Sequence, residues 1–196
     1  MEEIMNVENT ALANPFNNES NFKMLMKMAE AFASTEIIPQ NYQNKPADCM
    51  IAIDMANRMH VSPMFVMQNL YVVKGKPSWS GQACMSLIKS NTEFKDVKPV
   101  YTGEAGTNTW GCHIEAIRRS GELVRGPEIT IGVAKAEKWF SKIDRYGNET
   151  SKWQTMPELM LAYRASAFFA RVYIPDALLG CSVEGEAEDI IREKDI

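Results

Sequence analysis

Basic and aromatic side chains occur together at three places along the chain. Cations contact phosphates and aromatic rings stack on bases of any kind, so this combination is typical of a groove for single-stranded nucleic acid. The first cluster falls in a predicted hairpin, the second in a polar loop and the third on a long predicted helix. In that order the members are Tyr71, Lys74, Lys76 and Trp79; Lys138, Trp139, Lys142, Arg145, Tyr146, Lys152 and Trp153; and Arg164, Phe168 and Arg171.

The third cluster makes a geometric prediction. Arg164 and Arg171 are seven residues apart, which places them on one face of a helix and two turns from each other. Phe168 follows Arg164 at the i+4 position and shares that face. We therefore expect the face to be directed outward or into a groove. The competing interpretation is that both arginines are merely solvated and that the aromatic residues belong to the core.

The charge is distributed unevenly along the sequence. The whole chain carries a formal net charge of −4. Residues 1–70 hold 4 basic and 8 acidic side chains, whereas residues 71–175 hold 15 basic and 10 acidic ones. Residues 176–196 hold 2 basic and 7 acidic side chains. A basic middle thus lies between two acidic ends, and phosphate binding requires a local positive surface rather than a positive total.

Catalytic and metal-binding patterns are missing from the sequence. The segment 74–82 comes closest to a phosphate-binding glycine loop but lacks its spacing, and the carboxylates are spread singly. His60 and His113 are far apart, and the cysteines form no pair at metal-ligand spacing. We therefore predict that the protein is not an enzyme and uses no metal or cofactor. The cysteines are Cys49, Cys84, Cys112 and Cys181.

Composition indicates a globular protein. The hydrophobic fraction is 45% and the charged fraction 23%, close to the average for folded domains. The first residues are acidic and polar, unlike a signal peptide, and no apolar run reaches membrane-spanning length. We expect a protein of the cytoplasm that does not contact membranes.

The order of predicted elements indicates an α+β fold. The first helix begins after Ser20, which is its predicted cap, and others begin at Pro46 and Pro63. A tight hairpin turns at Gly75. A further helix, a small antiparallel sheet and a long final helix that starts at Pro157 follow. Segregated helices and strands are typical of α+β proteins. The predicted organisation is a flexible arm at 1–19, a single DNA-binding domain at 20–183 and an acidic tail at 184–196.

The approach to the final helix resembles a known family. The segment KWQTMPELMLAYRASAFFARVYIPDALLG, followed by EGEAED, resembles the end of the core in the RecT/Red-beta superfamily of phage single-strand annealing proteins. Upstream, the helix, the proline corner and the Tyr-containing hairpin between Ala47 and Asn91 resemble the part that precedes the family's central sheet. The resemblance extends over about residues 47–189. Its matching positions are Trp153, Pro157, Met160, Leu161, Arg164, Ala170 and Arg171.

This resemblance implies a RecT/Red-beta-like annealing core that binds single-stranded DNA along a basic groove beside the final helix. It implies annealing of complementary strands without ATP or metal, in phage-type recombination within a bacterial host. Self-association into rings or filaments is also implied, as are a phage exonuclease or a host single-strand-binding protein as partners. Carried over by position, the DNA-binding residues are Arg164, Arg171, Lys152, Trp153, Gln154, Lys142 and Arg145. Lys74 and Lys76 of the hairpin join them.

Two departures from the family pattern bear on this function. Related proteins often place basic residues just after the proline that starts the helix, whereas this chain has Glu158 and Leu159 there. The chain also ends soon after its acidic segment, without the larger C-terminal extension through which relatives contact their partners. The alternative function is a phage-derived module that binds a protein, with the acidic ends acting as an inhibitor or a mimic of DNA.

Overall fold

The computed structural model describes residues 15, 18–73 and 75–183, with the side chain of Val73 left out. Helices and small sheets are both present, which confirms the α+β class. The chain divides into two compact units between Gln68 and Asn69. The predicted arm at 1–19 lies almost wholly outside the described residues, and the predicted tail at 184–196 lies entirely outside them. The predicted single domain at 20–183 stays a prediction.

The first unit is helical. It contains α1 (Glu19–Ala33), α2 (Pro46–Met59) and most of α3 (Pro63–Asn69), and α1 packs against α2. Helix α1 buries Leu25, Ala29 and Ala33, which recur every four residues and so form one apolar stripe. Its cap is Asn18, whose side chain accepts the backbone N–H groups of Ser20 and Asn21. The prediction of Ser20 as the cap is therefore wrong by two residues, because an asparagine caps at least as well as a serine.

The second unit contains the strands and the long helix. Its elements, in chain order, are β1 (Leu70–Val73), β2 (Lys76–Trp79), α4 (Gly81–Ser90), β3 (Phe94–Thr102), β4 (Gly111–Arg118), β5 (Leu123–Arg125), β6 (Ile129–Thr130), α5 (Ile131–Ala136), α6 (Lys152–Thr155), α7 (Pro157–Tyr173) and β7 (Ser182–Val183). The hairpin of β1 and β2 turns at Gly75, which has a φ of 81°. Glycine adopts such a positive φ without strain because it has no Cβ. The predicted hairpin and the predicted long helix are both confirmed.

The strands form two sheets rather than the single antiparallel sheet that the sequence predicts. In the first, β1 pairs antiparallel with β2, and β7 pairs parallel with the other side of β2. In the second, β4 is central and pairs antiparallel with β3, β5 and β6. The two residues of β7 are too few to show any periodicity, so this parallel pairing left no sequence signal.

Helix α7 holds the second unit together. It packs against α4 and across β4, and it buries Leu161, Ala165 and Phe169. Helices α4 and α7 approach closely at Gly81, where an added Cβ would lie 2.6 Å from the Cβ of Tyr163. The missing side chain of Gly81 therefore lets α4 and α7 pack at this short distance.

Candidate nucleic-acid interface

Arg164 lies inside a stack of aromatic rings. Its guanidinium carbon is 3.9 Å from the ring centroid of Trp139, which in turn stacks on Trp153 at 6.1 Å and 29°. Arg164 is only 7% exposed and Trp153 only 3%. Of the two directions predicted for this face, outward or into a groove, Arg164 does not take the first. Its guanidinium instead lies over the ring of an indole, a contact that stabilises most when it is removed from water.

The segment that follows α5 brings Trp139 over Arg164. At Lys138 the backbone enters the left-handed region, with φ of 62°, and this ends the helix. The backbone N–H of Trp139 then donates to the carbonyl of Ala134 at 2.9 Å, so the indole is held beside the end of α5. Because this covering comes from a segment 25 residues away in sequence, the helical spacing of Arg164 and Arg171 could not reveal it.

Arg171 lies on the same face but two turns further along, where it is exposed. One of its terminal nitrogens donates to the carbonyl of Cys181 at 3.4 Å. The two arginines thus have different environments, one covered and one at the surface. They do not form a continuous row of outward cations along α7.

Residues 141–150 form a closed loop between α5 and α6. The segment carries two cations and two carboxylates, and it is called the basic hairpin below for its exposed Lys142 and Arg145. Ile143 and Glu149 make an antiparallel bridge, and the carbonyl of Lys142 accepts both the backbone N–H and the hydroxyl of Thr150. The turn is closed by the backbone N–H of Gly147, which donates to the carbonyl of Asp144 at 3.1 Å. The sequence predicts a polar loop here, and the structure shows that this loop is a hairpin.

The carboxylate of Asp144 is used inside the turn. It accepts the backbone N–H groups of Tyr146 at 2.8 Å and Asn148 at 2.9 Å, and the side-chain amide of Asn148 at 3.2 Å. These donors stabilise the ionised form, the backbone N–H of Asn148 most of all, and hold the pKa of Asp144 below its usual range. This arrangement is an Asx turn, which explains how a polar loop becomes ordered.

The carboxylate of Glu149 closes the open end of the hairpin. It accepts the hydroxyl of Ser141 at 2.5 Å, the backbone N–H groups of Lys142 and Ser151 at 2.8 Å, and the side-chain amide of Gln154 at 2.8 Å. The hydroxyl of Ser141 is the main cause that lowers the pKa of Glu149, followed by the backbone donors. The side-chain amide of Gln154, a predicted DNA-binding residue, therefore donates a hydrogen bond to the hairpin.

The cations of the basic hairpin are exposed, and so is Glu149. Lys142 and Arg145 are exposed, as is Lys152 at the start of α6. The guanidinium carbon of Arg145 lies 4.7 Å from the ring centroid of Tyr146, which is 72% exposed. The hairpin therefore presents cations and an aromatic ring to solvent, while its two carboxylates are bonded to its own donors.

The first predicted cluster divides between surface and core. Trp79 is fully buried, and its indole N–H donates to the carbonyl of Leu178 at 3.1 Å. It therefore belongs to the core and not to a binding surface. Tyr71 is 51% exposed and Lys76 is half-buried. Lys74 lies outside the described residues.

A cleft that the sequence did not indicate opens at the start of α7. Its volume is about 490 Å³, and its apolar walls are Tyr101, Trp110, Met156, Pro157 and Leu159, with Glu158 between them. The hydroxyl of Tyr101 donates to the backbone carbonyl of Glu158 at 3.2 Å. Tyr101 and Trp110 flank the turn between β3 and β4, so their closeness could have been expected from the predicted strand pair. That Pro157 lines the same cleft could not be expected from the sequence.

The described residues hold no group of three His, Cys, Asp or Glu side chains placed to bind a metal ion. Within the same residues, no helix has the length and apolar character needed to cross a membrane. Comparison of the chain with known protein families, with curated proteins and with solved structures found no match to any of them.

Proposed function

We propose that the protein binds single-stranded DNA through the basic hairpin and Lys152, and anneals complementary strands without a nucleotide or a metal. The observation that carries the binding proposal is the exposure of two cations beside an exposed aromatic ring in the hairpin. Asp144 and Glu149 accept hydrogen bonds from the hairpin itself, while Lys142 and Arg145 are exposed beside the ring of Tyr146. The cations can contact phosphates and the neighbouring ring can stack on a base, a combination that suits a strand with unpaired bases. The annealing step rests on the family resemblance.

The double variant Lys142→Ala/Arg145→Ala tests the binding proposal. We expect weaker binding to single-stranded oligonucleotides of every sequence, and a salt dependence that is shallower by about 0.7 per lost phosphate contact. Fluorescence anisotropy between about 50 and 200 mM salt measures both quantities. Duplex DNA should bind less well than single strands, because its bases are not free to stack.

The matched control is Lys95→Ala/Lys98→Ala, which removes two exposed lysines from β3. This pair removes the same charge at a distance in sequence from the hairpin and should change the affinity less. Equal affinity of the wild type and the hairpin variant would exclude the hairpin as the phosphate-binding surface. An affinity of the wild type for single strands that does not change with salt concentration would contradict the proposal altogether.

The annealing step is tested with two complementary oligonucleotides that carry a donor and an acceptor dye. We expect the protein to speed their pairing without ATP or a divalent cation, and the hairpin variant to lose most of this acceleration. If the protein binds the oligonucleotides but does not accelerate their pairing, it is a single-strand-binding protein and the proposed annealing activity is wrong.

A further inference from the structure

The cleft at the start of α7 has the composition of a site for a flat, apolar and hydrogen-bonding ligand. Two aromatic rings, Tyr101 and Trp110, form part of its walls, and Met156 and Leu159 leave about 40% of their surfaces exposed there. Its volume of about 490 Å³ exceeds that of a single nucleobase. Aromatic walls stack favourably on a base of any kind.

Helix α6 links the proposed DNA-binding surface to the cleft along the chain. Lys152 begins α6, and Thr155, which ends this helix, also lines the cleft. Three residues of helix advance by about 4.5 Å, less than the span of one extended nucleotide. Lys152 therefore provides an exposed cation within one helical turn of a residue that lines the cleft.

Glu158 gives the cleft a chemical preference. It is exposed and lines the cleft, and its negative charge is near enough to contribute to the raised pKa of Tyr101, after burial and Cys112. A carboxylate only accepts hydrogen bonds, and it repels phosphates and carbonyl oxygens. The exocyclic amino groups of cytosine, adenine and guanine are suitable donors, whereas thymine and uracil present two carbonyls on either side of a single N–H.

We propose that this cleft takes an unpaired, amino-bearing nucleobase from the strand bound by the basic hairpin, with Glu158 accepting its amino group. This inference rests on the proposed function. It gives the chain a base preference at the position where the RecT/Red-beta resemblance leads one to expect basic residues. A paired base already uses its amino group, so the cleft also favours single strands over duplex and loses its ligand when the strands anneal.

The test compares oligodeoxycytidine with oligodeoxyuridine, each about 15 nucleotides long, at neutral pH. These pyrimidines have the same size and differ in the amino group, and oligothymidine controls for the methyl group of thymine. We expect the wild type to bind the cytidine oligomer about fivefold more tightly than the other two, as one net hydrogen bond would provide. Glu158→Gln should reduce this ratio to about twofold or less, because the amide both donates and accepts.

Glu104→Gln is the matched control, since Glu104 is an exposed glutamate of the turn between β3 and β4 that does not line the cleft. It should leave the cytidine preference unchanged. Equal affinities of the wild type for all three oligomers, or a preference that survives Glu158→Gln, would overturn the inference. Salt-dependent binding without base preference would leave the proposed function standing, whereas absence of binding to any oligomer would remove both.

Discussion

At the scale of single residues, Arg164 shows that a cation in a predicted DNA-binding position also packs within the fold. Its guanidinium covers one indole, and that indole stacks on a second one that is buried. Removing the guanidinium leaves the face of Trp139 uncovered and creates a cavity under the segment that carries the basic hairpin. We therefore expect Arg164 to influence DNA binding by keeping this segment in place.

Replacing this side chain should cost stability. We expect Arg164→Ala to lower the free energy of unfolding by about 2 kcal/mol, the range for a desolvated cation–π contact. Arg171→Ala, at an exposed position of the same helix face, should change it by less than about 0.5 kcal/mol. Urea denaturation followed by tryptophan fluorescence measures both. Equal losses in the two variants would contradict the difference in burial on which this prediction depends.

At the scale of elements, the basic hairpin depends on the ionisation of two carboxylates. Asp144 and Glu149 have lowered pKa values in the folded protein, because their ionised forms accept hydrogen bonds. Their contribution is therefore fully present above the unfolded pKa values, near 4, and is lost as the pH falls through the folded values. The hairpin should loosen in acid while the rest of the second unit keeps its structure.

Amide hydrogen exchange across this acidic range checks the prediction, with the amides of Lys142, Tyr146, Asn148 and Ser151 as reporters. Their protection should fall before that of β4. Asp144→Asn and Glu149→Gln imitate the protonated groups, and each should weaken protection of its own partners already at neutral pH. Protection of these amides that stays as high as that of β4 while the pH falls from about 6 to about 2 would contradict this role of the carboxylates.

The elements also show what the sequence could and could not predict. Helices such as α2 and α7 were predictable because Pro46 and Pro157 mark their starts and the apolar spacing continues behind them. The hairpin at Gly75 was predictable from its turn residue. The pairing of β7 with β2, the cover of Trp139 over Arg164 and the walls of the cleft were not. Each joins residues that are distant in sequence, and local periodicity carries no information about such contacts.

At the scale of the whole molecule, the number of exposed cations sets a limit on DNA affinity. Lys142, Arg145 and Lys152 offer few phosphate contacts from one chain, and the net charge of −4 gives no long-range attraction. Several chains bound side by side on one strand would add their contacts without any change in each site. An annealing protein built on this surface therefore requires more than one copy on the strand.

We accordingly predict that the protein self-associates, most strongly on long single strands. Affinity per binding site should rise from oligonucleotides of about 15 nucleotides to strands several times longer, because neighbouring chains gain effective concentration from the shared strand. Light scattering at micromolar protein, with and without each strand, measures the assembled mass directly. The hairpin variant Lys142→Ala/Arg145→Ala should assemble less on DNA, while any assembly without DNA should be unaffected. If the protein is a monomer under every condition and has the same affinity per site on short and long strands, rings and filaments are excluded. Separate chains would then bind a single strand independently of one another.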